Sequence, residues 1–198
     1  MMGRHLNRRD EYIEEVAVGE REPPHDGNIF LEEYNSKWPV MFELEAERIR
    51  GALGAKAMQI HHVGSTAVPG LSAKPIIDIL LVVQDSSDES SYVPYLEVAG
   101  YVLRIREPDW FEHRMLKGFD ADINLHVFSE NASEIKRMLA FRDWLRNHED
   151  DRQKYEKIKR ELARQTWRHV QHYADAKTEI VEEIMERAIS NMQNPVNS

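Results

Sequence analysis

Between positions 62 and 78 the chain gathers His62, Gly64, Ser65, Thr66, Lys74 and Asp78. These residue types handle phosphate and metal ions. A glycine lets backbone N–H groups approach a phosphate, a hydroxyl bonds its oxygens, an ammonium neutralises its charge, and a carboxylate or imidazole ligates a cation. Gly64, Ser65 and Thr66 are read as a phosphate cradle with Lys74 as its counter-charge. The ordinary alternatives are a plain tight turn and a surface ion pair. Asp78 is the most informative member. It leads into Ile79-Leu80-Leu81-Val82-Val83, so it enters a buried strand, where an unpaired carboxylate is costly.

A second candidate group comes from Asp122-Ile123-Asn124-Leu125-His126-Val127-Phe128, whose alternation places Asp122, Asn124 and His126 on one strand face. With Asp78 and His62, His126 would make a mixed carboxylate–imidazole metal site for Mg²⁺ or Mn²⁺, with Zn²⁺ the weaker choice. Either histidine could instead be a general base, or a hydrogen-bonded core residue. His61 alternates away from His62 and is read as structural. Arg106 and Arg114 could supply charge to a phosphate, or lie solvated on strand edges. Arg142 and Arg146 sit one helical turn apart beside Asp143, and are read as a salt-bridge network between helix and sheet. No nucleophile elbow accompanies Ser65, which argues against a Ser-His-Asp hydrolase.

The elements that must position these residues follow from pattern. Residues 1–27 are polar and broken by Pro23-Pro24 and Asp26-Gly27, and are read as an extension with a short element near Tyr12–Val18. A short strand is predicted over Ile29–Tyr34. A helix follows from an N-cap at Ser36 to Leu53, with Phe42, Ala46, Ile49 and Leu53 on its apolar face. Strands are predicted over Met58–Val63, Ile76–Val83, Tyr101–Ile105, Phe111–Leu116 and Asp122–Phe128. Pro69-Gly70 suits the centre of a type II turn, and Lys117-Gly118-Phe119-Asp120 is read as a further turn. A short helix is predicted over Tyr92–Val98. From Ser133 onward three helices are predicted, the second carrying Tyr155, Ile158, Leu162 and Val170. The tail, 191–198, is polar. This order gives an α+β fold: a mixed sheet with flanking helices and a C-terminal helical segment, the main domain spanning 28–190.

Composition sets the outer limits. In 198 residues, 41% hydrophobic with four Trp, there is material for one sizeable core. The 26 basic against 35 acidic residues, a net charge of −9, argue against a general nucleic-acid binder and leave room for a local basic pocket. With no cysteine there is no disulfide and no thiolate metal site. No apolar run approaches a membrane span and the N-terminus carries no signal-peptide pattern, so a soluble, cytoplasmic protein is expected. Composition leaves the oligomeric state open.

The stretch His62-Val-Gly-Ser-Thr-Ala-Val-Pro-Gly-Leu-Ser-Ala-Lys-Pro-Ile-Ile-Asp78 resembles the signature of the GrpB-like family, which also occurs as a domain appended to some dephospho-CoA kinases. Glu33-Tyr34, Trp38-Pro39, Phe42, Asn124-Leu125-His126-Val127, Phe141-Arg142-Asp143-Trp144-Leu145-Arg146, Tyr155, Lys159, Leu162-Ala163 and Tyr173-Ala174-Asp175-Ala176-Lys177 extend the resemblance over residues 29–190. It implies a nucleotidyltransferase-like fold, in which a Gly-Ser turn precedes a strand carrying acid-x-acid and a later strand supplies a third acid. Here Asp78 fits the first acid, while the second position is Leu80. The implied function is binding of a nucleotide or phosphate ligand with a divalent metal, Asp78 and His126 being catalytic, and transfer of a nucleotidyl group to a small-molecule acceptor. The alternative is a non-catalytic domain, binding a nucleotide or coenzyme A-related ligand, that lost the second acid.

Overall fold

A computed structural model describes residues 10–19, 25–118 and 122–193. The predicted turn at Phe119-Asp120, the breakers at 20–24 and the tail from 194 lie outside these residues.

The chain runs α1 (Asp10–Val16), β1 (Gly27–Asn28), α2 (Lys37–Leu53), β2 (Gln59–Val63), β3 (Ile77–Val83), α3 (Val93–Val98), β4 (Tyr101–Glu107), β5 (His113–Gly118) and β6 (Ile123–Ser129). It continues through α4 (Ser133–Asn147), α5 (Glu149–Ala163), β7 (Thr166–Trp167), α6 (Val170–Asp175) and α7 (Thr178–Gln193). Five strands form one mixed sheet in the order β2-β3-β6-β5-β4, with β3 and β6 parallel and the other pairs antiparallel. The fold is therefore α+β, a mixed sheet flanked by helices.

The two faces of β3 do different work. Ile77, Ile79, Leu81 and Val83 pack with Trp38, Phe42, Ala46, Ile49 and Leu53 of α2 and with α3. Leu80 and Val82 turn to the opposite face and pack with Val63, Phe128 and Ile135. Asp78 shares this second face by the period of two. The C-terminal helices close over the loop between β2 and β3: Val68 and Leu71 are buried with Leu145, Tyr155, Ile180 and Ile184. This packing brings helical residues far along the chain to the start of β3.

Several expectations are met: the α2 stripe is buried, β2, β3 and β6 fall where the alternation placed them, and Val68 O accepts from Leu71 N–H at 3.2 Å across Pro69-Gly70, with Gly70 at φ 77°. Others change. Ile29–Tyr34 is not a strand; Glu32 makes a single bridge to Ala73, while β1 pairs with β7. Ser36 is in helical conformation and makes no side-chain cap; Asn35 Oδ1 instead accepts from Lys37 N–H at 3.0 Å. β5 begins at His113 because Phe111 and Glu112 adopt positive φ in the preceding turn. Val170 opens α6 rather than continuing α5, so four helices follow Ser133 among the described residues. No helix among the described residues is long and apolar enough to cross a membrane.

Candidate functional site

Asp78 enters β3 beside Val63 of β2 and Asn124 of β6. Its Oδ1 accepts from Asn124 Nδ2 at 2.8 Å, and His126 Nε2 lies 3.6 Å from the same oxygen. Burial pushes the Asp78 carboxyl up. The imidazole of His126, the amide of Asn124 and the charge of Lys74 outweigh that and hold it below its ordinary range. On its other side the carboxylate abuts Gly64, where φ is +71° and an added Cβ would collide with Asp78 Oδ2. The Gly-Ser turn and the acid are thus packed directly together. Ser65 begins a single helical turn after Gly64 and lies beside Tyr155, whose hydroxyl burial pushes up to about 12.

Cations surround this acid. Lys74 comes from the loop before β3, and Lys177 from the turn after α6. Both ammoniums lie against the Tyr173 ring, at 5.9 Å and 4.7 Å from its centroid. Burial, the neighbouring Lys177 and Lys117 lower Lys74 to about 8 against the pull of Asp78 and Asp122. Burial likewise lowers Lys177 to about 8, against Asp78 and Asp175. Neither ammonium makes an ion pair or hydrogen bond with another described residue. Lys159, only 1% exposed, donates to the carbonyl of Ser72 and lies over Tyr155 at 5.0 Å; burial and the charge of Lys177 push it well below the usual lysine range.

Two buried polar atoms in this neighbourhood lack a hydrogen-bond partner among the described residues: Asn124 Oδ1 and Tyr173 Oη. Asn124 bonds Asp78 through its other side-chain atom, and Tyr173 lies under Lys74 and Lys177. Buried polar atoms are nearly always paired in folded proteins, so two orphans beside unpaired ammoniums mark a place for a polar ligand or water.

Other predicted site residues lie elsewhere. His62 pairs in register with Ile79, on the α2 face, and its ring stacks on Phe42 at 4.9 Å. Its Nε2 is 3.0 Å from Thr66 Oγ1, which donates to the carbonyl of Ile76 at 3.0 Å. Burial lowers His62 to about 4, against the pull of Asp78, and keeps the ring neutral. His62 and Thr66 therefore brace the loop from within, and His62 does not share a sheet face with Asp78. Arg114 is on the far face, engaged by Glu89 at 2.6 Å and Glu112 at 3.2 Å, and Arg106 shares Glu89. Leu80 is fully buried against Val63, Val82, Phe128 and Ile135, so its position offers no ligand beside Asp78. Among the described residues no three His, Asp or Glu gather to hold a metal ion. Asp78 and His126 alone do not fit the divalent centre expected of His62, Asp78 and His126.

Arg142 and Arg146 pair with Asp143 within α4 rather than by a salt bridge from helix to sheet, and they hold the turn from behind through backbone carbonyls. Arg142 binds Asp143 through two nitrogens at 2.7 and 3.0 Å and donates to the carbonyl of His62 at 3.0 Å. Arg146 donates to the carbonyl of Ala67 at 2.9 Å. The two carbonyls flank Gly64-Ser65. A cavity of about 260 Å³ opens beside them, lined by Tyr34, Phe42, His61, Pro69, Arg142 and Arg146. It lies at the exposed β2 edge, apart from Asp78.

Lys159, Lys177 and Tyr173 carried little weight in the sequence, and Ser72 none. One signal was present: Lys159 interrupts the apolar stripe of Tyr155, Ile158 and Leu162, a place where a lysine needs a reason.

Residues 28–187 match the family model described as GrpB protein. A UPF0157 protein of Halalkalibacterium halodurans is 65% identical over 181 residues, 91% of this chain and 92% of that protein. The crystal structure of conserved protein GrpB from Enterococcus faecalis superposes with a TM-score of 0.72 at 29% identity, covering 83% of this chain and 100% of that one. A dephospho-CoA kinase of Mycolicibacterium paratuberculosis is 37% identical over 68 residues, 33% of this chain and 17% of the kinase.

Proposed function

The chain belongs to the GrpB family, and on that premise we propose that it binds a nucleotide or related phosphorylated small molecule between the Gly64-Ser65 turn and the lysines of the helical segment. The observation that carries this reading is the pair Lys74 and Lys177, two desolvated ammoniums over one tyrosine ring with no ion-pair partner of their own. Placing such charges together costs free energy that an incoming phosphate returns, through charge-assisted hydrogen bonds in a site of low dielectric. Gly64 and Ser65 face the same ligand, because the turn abuts Asp78, which both lysines feel. Asp78 then limits the orientations an anion can take, and the orphaned Tyr173 hydroxyl and Asn124 carbonyl supply neutral contacts.

Transfer of a nucleotidyl group to a small acceptor is the finer form of this reading. It gains support from His126, an imidazole beside Asp78 that can take a proton. One observation favours a second reading, a binding domain without chemistry: the fully buried Leu80 in place of a second acid. The partial match to a dephospho-CoA kinase makes coenzyme A-related compounds natural probes beside nucleotides. Calorimetry with ATP, inorganic triphosphate and dephospho-CoA tests binding on wild type and Lys177→Gln. Binding that falls in the variant supports the site; absence of binding in wild type removes it. Release of pyrophosphate on incubation with ATP and small hydroxyl compounds would select transfer over binding alone.

A further inference from the structure

A series of side chains runs across the sheet to Asp78. Glu107 closes β4 and His113 opens β5, opposite one another in register and both buried. Glu107 Oε2 lies 2.7 Å from His113 Nδ1, and Glu107 Oε1 accepts from the Tyr12 hydroxyl at 2.6 Å. His113 Nε2 is 3.0 Å from His126 Nδ1, the two rings stacked at 5.2 Å. His126 Nε2 faces Asp78 Oδ1 at 3.6 Å. Four strands are thereby joined, carboxylate to imidazole to imidazole to carboxylate.

Counting hydrogens along the series fixes what each nitrogen can do. An ionised Glu107 only accepts, so His113 Nδ1 carries a hydrogen. One hydrogen must lie between His113 Nε2 and His126 Nδ1, whichever ring holds it. The remaining nitrogen, His126 Nε2, is then bare in the neutral pair and meets Asp78 Oδ1 as a donor only once it has taken up a proton, so it is the one position where a hydrogen can be gained or lost with the bonds behind it intact. We infer that Glu107 and His113 are positioning residues that engage His126 through Nδ1 and present its Nε2 to the Asp78 site as the point where a proton enters and leaves. A carboxylate behind an imidazole is the usual device for fixing a ring's tautomer and orientation.

This use of the series rests on the phosphate-site reading. With a nucleotide and a hydroxyl-bearing acceptor bound, the acceptor oxygen bonds the α-phosphorus and its hydrogen passes to His126 Nε2. The bond from that α-phosphorus to the oxygen of the leaving pyrophosphate breaks, and its electron pair departs with the pyrophosphate. The resulting imidazolium lies between Asp78 and the Glu107–His113 pair, which offsets its charge.

The competing explanation is a buried ion pair that only stiffens the sheet, since His113 also packs on Trp110 at 5.0 Å and Phe128 at 4.8 Å. Long-range proton–nitrogen correlation on the ligand-free, histidine-labelled full chain separates the two. In alkaline buffer, where the imidazoles are neutral, His126 is expected with its hydrogen on Nδ1 and a bare Nε2. His113→Phe keeps the ring stack and removes the bond, so His126 should revert to the Nε2–H form that free histidine favours. Glu107→Gln, which preserves shape, should redistribute the hydrogens over both rings, and either folded variant decides the matter. An Nε2–H form in wild type, or the same His126 tautomer in wild type and variants, overturns the inference. Binding of ATP is measured separately on the same samples: its absence in wild type would sink the phosphate site and leave the tautomer result standing, whereas an unchanged tautomer with ATP bound would sink the relay alone.

Discussion

Gly64 has no room for a side chain because Asp78 occupies that space: a Cβ there would fall 3.0 Å from Asp78 Cβ, 3.1 Å from Cγ, and closer still to Oδ2. The turn and the acid, fourteen positions apart in the chain (78 − 64), are one packed unit. Gly64→Ala forces both a left-handed backbone and a displaced carboxylate, and should lower stability by about 1–3 kcal/mol in urea titration. Gly70 has a similar φ of +77° but nothing within 4 Å of an added Cβ, so Gly70→Ala incurs only backbone strain. Equal losses for the two variants would contradict the close packing of turn and acid.

Lys74 and Lys177 are expected to supply affinity at the expense of stability. Each ammonium–phosphate contact is worth roughly 1.5–3 kcal/mol, so Lys74→Met and Lys177→Met should each weaken ATP binding about tenfold or more. The ligand-free variants should melt higher than wild type, because a desolvated charge has been removed. Calorimetry and thermal melts read the two effects; lower melting with unchanged affinity would mean that the lysines are structural.

Their titration gives a signed pH dependence. Both lysines sit near 8 in the folded chain against about 10.4 unfolded. Between these values the unfolded chain binds more protons, so ligand-free stability gains a rising contribution as pH increases from about 8 to about 10. ATP affinity should fall over the same range as the ammoniums are lost. The Lys74→Met, Lys177→Met double variant isolates both trends, since it should lack them.

Leu80, where the sequence resemblance would place a second acid, is fully buried among Val63, Val82, Phe128 and Ile135. Leu80→Asp places a carboxyl there without a partner, and should cost about 3 kcal/mol or more in urea titration. A variant as stable as wild type would mean that the surroundings accept an acid, and would revive the divalent centre.

The acidic end of lowering pH should show His62. Its ring is held neutral down to about 4, below the 6.5 of a free imidazole. The unfolded chain takes a proton first, so stability is lost as pH falls between these values. His62→Phe, which keeps the stack on Phe42, should flatten that loss. The same slope in the variant would assign it to other groups.

The turn, the buried acid and the polar face of β6 were legible because each is a local pattern: Pro-Gly geometry, a carboxylate opening an apolar run, and strict alternation. What local pattern cannot give is the side of the sheet. His62 and Asp78 look like partners in sequence, but the antiparallel register sets Val63, not His62, beside Asp78. The cations were hidden for a similar reason. Lys177 comes under the pull of Asp78, and Tyr173 under the two lysines, only because α5 to α7 fold back over the β2–β3 loop, a long-range packing that no residue spacing announces. Glu107 and His113 end one strand and begin the next, and their pairing depends on a turn with two residues at positive φ.

The most direct measurement is a crystal structure of the full chain with a non-hydrolysable nucleoside triphosphate. The phosphates are expected within hydrogen-bonding distance of Lys74 Nζ and Lys177 Nζ, beside the Gly64-Ser65 turn, with the Tyr173 hydroxyl no longer orphaned. Phosphates found instead in the cavity at Arg142 and Arg146, or at neither place under saturating ligand, would contradict the account.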